Sequence, residues 1–76
     1  MIKAGIYRHY KGGLYRVYEL ARHSESGEQL VIYRALYGER GLWARPLSMF
    51  AEQVRVDGTM RQRFQWQADA DGDLHE

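Results

Sequence analysis

Between Gly5 and Tyr37 the chain is rich in Tyr, Val, Ile and Leu, and it breaks only at Gly12-Gly13 and at Ser24-Glu25-Ser26-Gly27-Glu28. β-favouring residues divided by glycine and small polar residues are the sequence form of strands joined by tight turns. Three strands are predicted, about Gly5 to Lys11, Leu14 to His23 and Gln29 to Tyr37. Parallel neighbours need a long crossover, so links this short leave antiparallel pairing.

The pattern continues. Gly38-Glu39-Arg40-Gly41 is a further turn and Leu42 to Arg45 a short strand that Pro46 ends, because proline gives a ladder no donor. Pro46 to Gln53 reads as one or two helical turns, with Leu47, Phe50 and Val54 on one side. Asp57-Gly58 predicts a hairpin between Val54-Arg55-Val56 and a last strand, about Met60 to Gln67, in which Phe64 and Trp66 share a face.

A chain of 76 residues has room for one core. The absence of cysteine rules out disulfides and thiolate zinc sites, and redox chemistry with them. Short antiparallel strands hide their edges by closing, so the expected class is all-β. The architecture expected is a small SH3-like antiparallel barrel of five or six strands over residues 1–67, with one short helical turn after Pro46. An α+β sheet crossed by that helix is the alternative. Residues 68–76 read as an acidic flexible tail. Charge divides the same way: residues 1–63 hold all 11 Lys and Arg against six acids, and the remainder holds four acids and no Lys or Arg. No stretch has the length and apolarity of a membrane span or a secretory signal, so the expected location is cytoplasmic.

The stretch YRHYKGGLYRVY admits two hairpin registers. A two-residue turn at Gly12-Gly13 gathers Ile6, Arg8, Tyr10, Tyr15 and Val17 on one face, which mixes charge with core residues. A three-residue loop at Lys11 to Gly13 instead groups Tyr7 and His9 with Tyr15 and Val17, leaving Arg8, Tyr10 and Arg16 opposite. The second register is favoured, with Ala21, Val31 and Tyr33 completing the core.

Certain residues stand in a recognisable order: Gly5, Tyr7-Arg8-His9-Tyr10-Lys11-Gly12, Tyr15, Val17, Ala21, His23-Ser24-Glu25, Val31, Tyr33, Leu36-Tyr37-Gly38, Trp43, Arg45-Pro46-Leu47 and Met49-Phe50. In this order the chain, over about residues 5 to 66, resembles a small bacterial family known as domain of unknown function 1653. The resemblance implies a mostly β domain of bacterial origin. It implies no activity, and it attaches no role to the acidic tail.

Among function classes, catalysis has the weakest support. His9 or His23 with Ser24, oriented by Glu25, sketches a hydrolase, yet the spacing matches no catalytic signature. The bland reading makes Ser24 and Glu25 the start of a turn, with the Ser24 hydroxyl tied to nearby backbone and each histidine bonded to a carbonyl at the barrel rim. His9 and His23 with Glu25 or Glu28 match no metal-ligand spacing, so neither metal nor cofactor is expected. Nucleic acid is a candidate partner. Arg8, Lys11, Arg16, Arg34, Arg45, Arg61 and Arg63 with Tyr10, Tyr18, Tyr37, Trp43 and Trp66 are the ingredients of a groove that tracks phosphates and stacks bases. A solvated basic surface explains the same charges, and a pI of 8.1 is modest for a nucleic-acid binder. The favoured expectation is a non-enzymatic binding or interaction module whose partner is another protein or a second copy, with no membrane. Its expected face is Arg8, His9, Tyr10, Lys11, His23, Ser24, Glu25, Trp43 and Arg45.

Overall fold

The computed structural model describes residues 2–69. In chain order these form β1 (Gly5–His9), β2 (Leu14–Arg22), β3 (Gln29–Ala35), β4 (Leu42–Pro46), α1 (Leu47–Phe50), β5 (Gln53–Val56), β6 (Thr59–Gln62) and β7 (Phe64–Ala68). The fold is all-β with one short helix. Five strands make an antiparallel sheet in the order β4-β3-β2-β1-β7, and β5 and β6 pair separately as a hairpin.

β4 and β7 are the edges of the large sheet, so among the described residues no strand pairing closes it into a barrel. It is nonetheless strongly coiled. In a flat sheet four spacings of about 4.8 Å would separate these strands by roughly 19 Å. Instead the guanidinium carbon of Arg45 on β4 lies 5.8 Å from the ring centre of Phe64 on β7. The concave side holds the core of Tyr7, Val17, Val31, Tyr33, Phe50 and Phe64. Phe50, only 1% exposed, comes from α1, which packs on β3 and β4.

The β1–β2 hairpin pairs Tyr7 with Tyr15 and Gly5 with Val17. This is the side-chain sorting of the three-residue loop, but the loop sits one residue earlier, at Tyr10 to Gly12. His9 N–H donates to Gly13 O (2.8 Å) and Gly12 N–H to His9 O (2.7 Å).

Two expectations are corrected by local irregularities. Ala21 is exposed rather than in the core. Val17 pairs with Tyr33 while Leu20 pairs with Val31, so β2 carries one extra residue between them. That bulge reverses the alternation, and Leu20 takes the inward place. The expected last strand is two strands. Arg63 interrupts it, donating its N–H to Glu52 O (3.0 Å) while its carbonyl accepts from Tyr10 N–H (2.9 Å). Its backbone thus bonds two different segments, and β7 turns away to join β1. β7 runs on to Ala68, one residue into the expected tail. Residues 70–76 of that tail lie outside the described residues.

Pro46 belongs to β4, opposite Leu30, and also caps α1. α1 is only four residues long, shorter than the Pro46 to Gln53 reading. Among the described residues no helix is long and apolar enough to cross a membrane.

Candidate functional site

The inward faces of β2, β3 and β4 carry aromatic residues past the edge of the core. Register places Tyr15 opposite Ala35, Tyr33 opposite Trp43, and Val31 opposite Arg45. With Tyr37 and the 38–41 turn, which brings Glu39 and Arg40, these side chains other than buried Val31 line a cleft of about 480 Å³. Trp43 is 60% exposed and Tyr37 52%, although both rings flank buried aromatics. Tyr37 meets Tyr15 edge-on at 5.6 Å, and their hydroxyls hydrogen-bond to each other. The turn is held from outside the cleft: Arg34 Nη1 donates to Arg40 O (2.6 Å) and its Nε to the Tyr18 hydroxyl (3.1 Å).

Arg45 occupies the floor. Its Nε donates to the Tyr33 hydroxyl at 3.3 Å, and Phe64 backs the guanidinium. Arg45 is half-buried and has no carboxylate partner among the described residues. Its field reaches two neighbours. Burial, then the charges of Arg63, Arg45 and Lys11, push His9 below its ordinary value of 6.5. Burial and the bond to Tyr37 push the Tyr15 phenol up to about 12, with Arg45 opposing. Neutral imidazole and neutral phenol therefore prevail at pH 7.

The cleft adjoins an open strand edge. Ala35 N–H donates to Gly41 O (3.3 Å), which fixes the alternation of the β3–β4 ladder. Gly41, Trp43 and Arg45 consequently exchange bonds with β3, and Leu42 and Ala44 turn their N–H and C=O outward. Pro46 falls in the outward set, so its missing N–H removes nothing from the β3 ladder. Leu42, Trp43 and Ala44 are all exposed, and none carries the charge with which proteins usually guard an edge.

The expected site residues divide into three places. Trp43 and Arg45 line the first cleft, and the His9 ring lies on the concave side 4.9 Å from Phe64 and 6.2 Å from Tyr15. Arg8, Tyr10 and Lys11 sit at the first hairpin. There Arg8 Nη1 donates to Gly12 O (3.0 Å), the Tyr10 ring lies 4.7 Å from His9, and Lys11 covers Tyr10. Arg8, His9 and Tyr10 also line a second cleft of about 390 Å³ with Arg61, Gln53, Gln62 and Gln65, which has no acidic residue. His23, Ser24 and Glu25 line neither cleft. They form the β2–β3 turn, at the far end of a strand of nine residues that spans roughly 30 Å at about 3.3 Å each.

Both described histidines use Nδ1 as a backbone acceptor. His9 accepts from Lys11 N–H (3.1 Å), and His23 from Glu25 N–H (3.1 Å) and Ser26 N–H (3.3 Å). The bonds expected of them involve backbone N–H rather than C=O. Ser26, not Ser24, ties its hydroxyl to the backbone, accepting from Glu28 N–H (3.2 Å). His9 and Ser24 are thus at opposite ends of β2. No group of three or more His, Asp or Glu suited to a metal ion occurs among the described residues.

Nor do the basic residues form one stripe. Arg16 lies over Tyr18, which also accepts from Arg34. Arg63 pairs with Glu52 at 2.7 Å, and Trp66 lies beneath Lys3. Sequence reasoning assigned Tyr15 and Tyr33 to the core alone, and it overlooked Gln53, Gln62 and Gln65. The shared inward parity of Tyr33, Trp43 and Arg45 was the available signal for the first cleft.

A family model described as "Protein of unknown function (DUF1653)" matches residues 5–66. The chain is also similar to a solved structure, the crystal structure of a DUF1653 protein from Bordetella bronchiseptica. That match has 32% sequence identity, covers 95% of each chain and has a TM-score of 0.83. No curated protein matches the chain.

Proposed function

The chain belongs to the DUF1653 family, a family of unknown function, and we propose that it is a non-enzymatic interaction module that adds an extended segment of another protein to β4. One observation carries this reading: a β4 edge that pairs with no other strand among the described residues, exposed at Leu42, Trp43 and Ala44, lies beside an aromatic cleft. Strand addition draws affinity from main-chain bonds and specificity from pockets for alternate side chains, and both components adjoin here. The separation of His9 from Ser24, and the use of His23 Nδ1 as acceptor for the Glu25 and Ser26 N–H groups rather than for a hydroxyl, support the non-enzymatic reading. The strand order, the bulged β2 and the coiled sheet support an SH3-like architecture. A cytoplasmic location remains the reading of the composition.

The test uses capped hexapeptides of alternating threonine and valine. Titration should shift the Leu42 and Ala44 amide resonances. Ala44→Pro should abolish that response, because it deletes an outward donor and leaves the β3 ladder intact. An unchanged response in Ala44→Pro would reject the reading.

A second reading rests on the other cleft. Arg8 and Arg61 beside three glutamines and Tyr10, with no acid, suit a single-stranded nucleic acid. Salt-sensitive binding of oligo-dT, lost in a combined Arg8→Ala and Arg61→Ala variant, would support it.

A further inference from the structure

The cleft floor holds a cation that the described residues leave without a carboxylate. Arg45 has Nε on the Tyr33 hydroxyl and Phe64 beneath it, and although Glu39 lines the same cleft, no carboxylate among the described residues lies within ion-pair distance of the guanidinium. A guanidinium held this way is a preorganised fork for an anion. Its place on β4 decides where that anion comes from. Leu42 and Ala44 turn their backbone outward, so an antiparallel strand added to that edge faces Trp43 and Arg45 in non-hydrogen-bonded pairs, where side chains approach most closely.

We propose that the segment added to β4 carries an acidic side chain opposite Arg45 and, two residues away, an apolar side chain opposite Trp43. This rests on the strand-addition reading and adds the ligand's chemistry to it. The two-residue spacing follows from strand geometry, since only alternate side chains reach one face. A lysine or arginine opposite Arg45 is selected against, because like charges directly opposed on neighbouring strands repel. The apolar residue covers the exposed indole of Trp43.

The probes are capped threonine peptides with a valine and, two residues from it, glutamate, glutamine or lysine, followed by the Leu42 and Ala44 amides. The glutamate peptide should bind about tenfold more tightly than the glutamine peptide, the scale of one charge-assisted hydrogen bond. The lysine peptide should be the weakest. Arg45→Gln should erase the difference between the glutamate and glutamine peptides, and Arg45→Glu should reverse the preference to lysine. The peptide comparison needs no altered protein, so it decides the matter even if an Arg45 variant fails to fold. Equal binding of all three peptides, abolished by Ala44→Pro, would overturn the acidic preference and leave strand addition standing. A glutamate preference that survives Ala44→Pro would overturn strand addition, and with it the placement opposite Arg45. Tighter, Arg45-dependent binding of oligo-dT at this cleft would overturn the proposal in favour of a phosphate ligand. Silence of both amides with every peptide would overturn both readings.

Discussion

Phe50 lies flat against Phe64, with ring centres 4.1 Å and ring planes 2° apart. One ring belongs to α1 and the other to β7, and both also contact Tyr33. This stack fills the concave side of a sheet whose ladder does not close, so α1 acts as the plug of the fold. Phe50→Ala should therefore cost about 3–5 kcal/mol, the range for removing a buried phenylalanine. A small domain of this kind holds only a few kcal/mol in total. Chemical denaturation should find Phe50→Ala largely unfolded and Phe50→Leu folded but weakened. Wild-type stability in the alanine variant would refute the plug.

Gly5 is fixed by what lies over it. A methyl group there would stand 2.3 Å from the Trp66 ring and 2.8 Å from the carbonyl of Ala68, at a φ of +147° that side chains rarely adopt. Trp66 in turn packs edge-on to Tyr7 at 5.5 Å, with Lys3 Nζ 4.0 Å above it. Gly5→Ala must displace β7 from β1, and overpacking of this kind costs about 1–3 kcal/mol. The thermal midpoint should fall, and the Trp66 indole resonance should move more than that of Trp43. An unshifted Trp66 would contradict the contact.

The β5–β6 hairpin depends on two left-handed residues, Asp57 at φ 52° and Gly58 at φ 79°. A two-residue turn of this hand matches the twist of its strands and requires positive φ at both positions. Gly58→Ala should destabilise by about 1–2 kcal/mol, the penalty of the left-handed region for a residue with a Cβ. Asp57→Asn should be nearly silent, and Asp57→Val should be worse than either. Equilibrium unfolding of the three variants checks that order.

That turn was legible in the sequence because its cause is local: two adjacent residue types meet one backbone requirement. The pleat was legible for the same kind of reason, since only one parity of pairing separates Tyr7 and Tyr15 from Arg8 and Arg16, although the exact register within that parity was not. The bulge in β2 was not. No glycine marks it, and its cause is a change of pairing partner along β3, which single-strand periodicity does not carry. Arg63 likewise looks like any strand residue until its N–H and C=O are seen serving different segments. The cleft was half legible. Trp43 and Arg45 were singled out by type, but Tyr15 and Tyr33 join them only through pairing across three strands. His23, Ser24 and Glu25 formed a suggestive trio whose distance from His9 follows from the length of β2.

His9 makes stability depend on acid. Its Nδ1 accepts the Lys11 N–H, and burial with Arg63, Arg45 and Lys11 lowers its pKa below 6.5. A folded-state pKa below the unfolded one means that the unfolded chain binds more protons in the interval between them. The His9 contribution is therefore complete above 6.5 and is lost as pH falls through the folded value. His9→Asn keeps a side-chain acceptor for Lys11 without a titrating ring. Denaturation midpoints measured from pH 7.5 to 5 should decline in the wild type and decline less in His9→Asn. Parallel curves would remove His9 as the cause.

Tyr15 makes the opposite dependence at high pH. Burial is the larger cause of its rise to about 12, and the bond to Tyr37 is the second. Between 10 and 12 the unfolded chain loses a proton that folded Tyr15 retains, so folding loses stability across that interval as pH rises. Tyr37→Phe removes the hydroxyl partner and leaves the ring that covers Tyr15 edge-on. The Tyr15 pKa should then move down while staying above 10.0, because burial persists. Ring-carbon resonances assigned to Tyr15 separate its titration from those of the other tyrosines. A wild-type Tyr15 that titrates at 10 would mean that water reaches its hydroxyl freely, and the cleft wall formed by Tyr15 and Tyr37 would not exist in solution.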